Sequence, residues 1–79
     1  MKIKPEHFEI IKAKCEVILK IVPDAQKKYK EMGLSDMRFR WDIAWKAGLG
    51  SFFCDTIYGY ANDDHIDTAL RKIMPPLDN

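Results

Sequence analysis

The imidazole and thiol side chains that could form a zinc-type site are few: His7, Cys15, Cys54 and His65. They are dispersed, and no pair has the short Cys–Cys or His–His spacing that brings two ligands onto one ion. We expect no metal and no cofactor. The run Asn62-Asp63-Asp64-His65-Ile66-Asp67 gathers oxygen ligands but lacks the spacing and the glycine of a calcium loop. Acids at a helix start complement the helix dipole and cap free amides, and the run is read that way. His65 beside Asp64 is where general-base chemistry would sit. No Ser or Cys stands in a nucleophile motif, so the chain is read as a non-enzyme. Gly48-Leu49-Gly50-Ser51 imitates a phosphate-cradling turn, but no strand precedes it and no Gly-Lys-Ser/Thr ending follows. It reads as a helix–helix turn.

The elements that must position these groups are helices. Pro5 suits a first helical turn, where its missing N–H costs nothing, and Pro23 stops that helix near residue 22. Asp24 opens a second helix, which Gly33 caps with Leu34 as its apolar follower. Ser35 caps the start of a third, with Asp36 in its first turn. Gly48 and Leu49 repeat the glycine-apolar ending. A fourth helix is expected over 51–60 and a fifth over 64–74, closed by Pro75 and Pro76. No segment alternates with period two, so no sheet is expected. The prediction is an all-α single domain over 1–79, a compact bundle of four to five short helices.

Helical wheels separate ordinary helices from unusual ones. The fifth places Ile66, Ala69, Leu70 and Ile73 on one face and Asp64, Asp67, Thr68, Arg71 and Lys72 on the other. The first carries a stripe of Phe8, Ile11, Cys15, Ile18, Leu19 and Val22, and a second stripe of Ile10, Val17 and Ile21. The third has Met37, Trp41, Ala44 and Trp45 on one face and Phe39, Ile43 and Ala47 on another, with Arg40 between them. The fourth is nearly all apolar (Phe53, Cys54, Ile57, Tyr58, Tyr60 and Ala61), which suggests the centre of the domain.

Composition limits the possible functions. The chain has 79 residues, 47% of them hydrophobic, and a formal net charge of +1. That is one globular domain, neither a disordered chain nor a polyelectrolyte. No apolar run is long enough for a membrane span, and we read no signal peptide. Cys15 and Cys54 are read as buried free thiols of a cytoplasmic protein. A domain this small buries about 60% of its surface, so two helices with double stripes carry more apolar surface than one core obviously needs.

Charge is segregated. Segment 27–46 holds Lys27, Lys28, Lys30, Arg38, Arg40 and Lys46 against Glu31, Asp36 and Asp42, whereas Asp55, Asp63, Asp64, Asp67 and Asp78 dominate the C-terminal part. The two could complement each other. Alternatively, Lys27, Lys28, Lys30, Arg38 and Arg40 could contact nucleic acid, with Tyr29, Phe39 and Trp41 stacking on bases. The Gly33-Leu34-Ser35 turn resembles that of helix-turn-helix DNA readers. However, Tyr29 stands where that family has a small residue and Asp42 where it has an apolar one, and Trp41 and Trp45 suit a core better than a groove. Arg40, between apolar stripes, needs an acid or a route to water. Asp36 is the local candidate; Asp55 or another C-terminal acid could serve across the fold.

Three stretches, GLSDMRFRW (33–41), CDTIYGY (54–60) and NDDHIDTALRKI (62–73), resemble small uncharacterised proteins encoded by bacterial phages and prophages. The resemblance covers most of the chain. It implies a cytoplasmic accessory protein of the bacterial host cell. Such proteins, anti-CRISPR and other anti-defence inhibitors among them, often bind and block a host protein. The leading expectation is therefore a protein-binding role through Ile10, Val17, Ile21, Phe39, Arg40 and Ile43, with a bacterial protein or a second copy as partner. Nucleic-acid binding through the basic segment is the alternative.

Overall fold

A computed structural model describes residues 2–74 and 76–77. The fold is all-α, with no strand among the described residues. The helices are α1 (Pro5–Ile21), α2 (Ala25–Glu31), α3 (Asp36–Lys46), α4 (Leu49–Asp55) and α5 (Asp63–Ile73), with a 3-10 turn at Ile57–Gly59 between the last two.

Local chemistry sets most boundaries. Pro5 lies in the first turn of α1, and the last helical bond there runs from the Val22 amide to the Ile18 carbonyl, just before Pro23. At the end of α2 the Leu34 amide returns to Tyr29 and the Gly33 amide to Lys30, both on carbonyls. This paired closure needs a left-handed residue, which Gly33 supplies at φ +72°. The Ser35 hydroxyl accepts from the Arg38 amide at 3.1 Å and starts α3. At α5, Asn62 Oδ1 accepts from the His65 amide while His65 Nδ1 accepts from the Asn62 amide, both at 3.2 Å. His65 is thus occupied in a reciprocal cap. Pro75, expected to help close α5, lies outside the described residues.

The expected central helix is replaced. No single helix spans 51–60: α4 stops at Asp55, and Thr56 leaves helical geometry. Phe53 and Ile57 reach the core, while Cys54, Tyr58 and Tyr60 are exposed. The 3-10 turn rotates the last two tyrosines outward. The middle of the bundle is α3 instead, which packs on α1, α4 and α5. Its Phe39, Ile43 and Ala44 join Ile11 and Cys15 of α1, Leu49 and Phe53 of α4, and Ile66, Ala69 and Leu70 of α5 in the core. Burying each large side chain contributes about 1.5–3 kcal/mol. Ile3 and Leu77, near the two chain ends, are buried as well. The thiols differ: Cys15 is buried, and burial pushes its pKa up to about 11, whereas Cys54 is exposed rather than buried as expected.

Candidate protein-binding site

Arg40 organises this site from beneath. Only 3% of it is exposed. Its Nε donates to Asp67 Oδ1 at 3.1 Å, and Nη2 donates to both Asp67 oxygens at 3.0 and 3.2 Å. Nη1 donates to Asp36. Asp67 also accepts from Trp41 Nε1 at 3.1 Å and pairs with Arg71 at 3.1 Å. The second oxygen of Asp36 accepts the Leu77 amide at 2.9 Å. One guanidinium therefore ties α3 to α5, while Asp36 carries the connection to the C-terminal segment. Among the described residues, no buried side-chain nitrogen or oxygen lacks a partner. A buried charge of this kind is tolerable only when so fully satisfied.

The consequence lies on the adjoining, outward face of α3. The indole of Trp41, held by Asp67, meets Phe53 edge-on with ring centroids 6.0 Å apart. It is fixed as one wall of a groove of about 320 Å³ that Met37, Tyr58, Asp63, Asp64 and Asp67 complete. Tyr58 donates its phenolic hydrogen to Asp63. That bond, with lesser help from burial, pushes the phenol up to about 12. Met37 is 55% exposed and Trp45 59% exposed. With Trp41 they follow one another at four-residue intervals, so all three share a face. The Trp45 ring lies over Gly50, where an added Cβ would come within 1.6 Å of it. Gly50 is the seat of that indole.

These observations redistribute the expected site residues. Phe39, Arg40 and Ile43 are buried, so the fold removes them from any surface available to a partner. Phe39 and Ile43 belong to the core, and Arg40 to its ion pairs. Met37 and Trp45, placed with Ala44 on a separate apolar face, are outside instead. Ile10, Val17 and Ile21 remain exposed along α1, Ile21 at 67%. Ile21 also lines a groove of about 280 Å³ with Val22, Pro23, Lys28, Tyr29 and Lys46.

The basic segment is divided. Arg40 is internal, and Arg38 reaches Asp42 at 3.6 Å. Tyr29 donates to Asp42 at 3.0 Å, and burial with this bond raises its pKa. Lys28 and Lys46 border the groove beside Ile21, while Lys27 and Lys30 border another hollow with Pro23, Gln26 and Leu77. Tyr29 and Phe39 stack edge-on with each other. Among the described residues, no three His, Cys, Asp or Glu side chains converge as a metal site. No helix there is long and apolar enough to cross a membrane.

Comparison with known proteins finds no matching family model, no matching curated protein and no matching solved structure.

Proposed function

We propose that this chain is a non-enzymatic binding protein that engages another protein through the outer face of α3. The observation that carries the reading is the row on α3 in which Met37 and Trp45, both more than half exposed, flank the half-buried Trp41, continued by the exposed Tyr58. Trp, Tyr and Met are enriched in protein interfaces, and Trp and Tyr dominate their energetics. Trp41 is already locked by Asp67 and Phe53, so less side-chain entropy is lost on binding. The resemblance to phage-encoded proteins makes a bacterial protein, such as a component of a CRISPR–Cas or other defence complex, the partner class to examine first.

The test places photoreactive benzoylphenylalanine at position 37 and, separately, at position 72 on the polar face of α5. Irradiation in bacterial cells is expected to give a discrete protein adduct from position 37 and none from position 72. An adduct to the chain itself would identify a homodimer through this face. Absence of any adduct at position 37 would overturn the proposal.

A further inference from the structure

Resting on that reading, we infer that the partner presents a Lys or Arg side chain, which enters the groove between Trp41 and Tyr58 and meets Asp63 and Asp64. Met37 and the rings of Trp41 and Tyr58 give the groove an apolar lining, and every charged residue lining it is acidic. Its three carboxylates are not equivalent. The charge of Asp67 is taken up by Arg40 and Arg71. Asp63 accepts from the uncharged Tyr58 phenol, and among the described residues no ion pair reaches Asp63 or Asp64. The N-terminus of α5 offsets about half a charge, which leaves more than one negative charge at the rim.

A long cationic side chain matches both halves of this surface. Its methylene stem covers apolar rings while its head reaches carboxylates. The same head gains from the faces of indole and phenol. An anionic or purely aliphatic group would leave the rim carboxylates repelled or desolvated.

The test titrates isotope-labelled protein with hexalysine amide and with hexaglutamate, followed by amide and indole NMR resonances. Hexalysine is expected to move the Trp41 indole signal and the amides of Tyr58, Asp63 and Asp64, and hexaglutamate to move none of them. Asp63→Asn and Asp64→Asn should each weaken hexalysine binding by up to about fivefold, the scale of an exposed ion pair. The charge-matched control Glu9→Gln, on α1, should leave it unchanged. Shifts centred outside the groove, equal weakening in the control, or no shift at millimolar hexalysine would overturn the inference. An adduct from position 37 that persists unchanged in Asp63→Asn with Asp64→Asn would overturn it while leaving protein binding through α3 intact.

Discussion

On the inner face of α3, Phe39, Ile43 and Ala44 are buried together with an arginine; on its outer face, Met37, Trp41 and Trp45 stand partly or largely in water. The inner face can hold Arg40 because α5 supplies Asp67 and the first turn of α3 supplies Asp36. On the outer face Trp41 rests on Phe53 and Asp67, and Trp45 lies over Gly50 with more than half of its surface exposed. The two faces therefore carry different burdens. Substitutions inside should cost stability, and substitutions outside should cost binding.

The largest effects should come from the inner face. Arg40→Ala leaves Asp67 with Arg71 as its remaining cation and takes the cation from Asp36, and should cost about 3–5 kcal/mol in denaturant unfolding. Phe39→Ala should cost a similar amount, about 3–5 kcal/mol, through the cavity it leaves. A loss below about 1 kcal/mol for either would break the comparison.

Gly50→Ala probes the seam between the faces. In the native background its methyl group must displace the Trp45 ring, at about 1–3 kcal/mol, with a change in tryptophan fluorescence. With Trp45→Ala already present, the same substitution should instead stabilise by about 0.5–1 kcal/mol, because alanine is the better helix former. The sign reversal is the diagnostic. Trp45→Ala alone should change stability by less than about 1 kcal/mol, as expected for a mostly exposed side chain.

The smallest effect concerns Tyr58. Asp63→Asn removes the carboxylate that holds the phenol protonated, so the Tyr58 pKa should fall from about 12 back toward its ordinary value. A spectrophotometric titration of tyrosine ionisation, native against variant, would follow it. An unchanged profile would detach Tyr58 from Asp63 and loosen the groove.

The sequence allowed the helices to be read more easily than their orientation. Pro5, Pro23, Gly33, Ser35 and Asn62 act on their own backbone neighbourhood, so each marked a boundary without knowledge of the rest. The simple amphipathic pattern of α5 likewise showed which side would be buried. Helix α3 offered two apolar faces, and the choice between them depends on contacts with α1 and α5 that no local pattern encodes. Arg40 held the best available clue. Its need for an acid was legible and Asp36 was the right local partner, but Asp67 is 27 residues away and joins it only across the fold. The buried placements of Ile3 and Leu77 had no periodic signal to announce them. The groove itself was invisible because Tyr58 reaches it through the 3-10 turn that interrupts the expected fourth helix.

The most direct test of the division of labour in α3 compares what the immobilised native chain, Trp45→Ala and Val17→Glu each retain from a bacterial lysate, with helical content verified for all three. The account predicts that a specific protein held by the native chain is lost with Trp45→Ala and kept with Val17→Glu on the exposed stripe of α1. Retention by Trp45→Ala together with loss in Val17→Glu would contradict it and move the binding surface to α1.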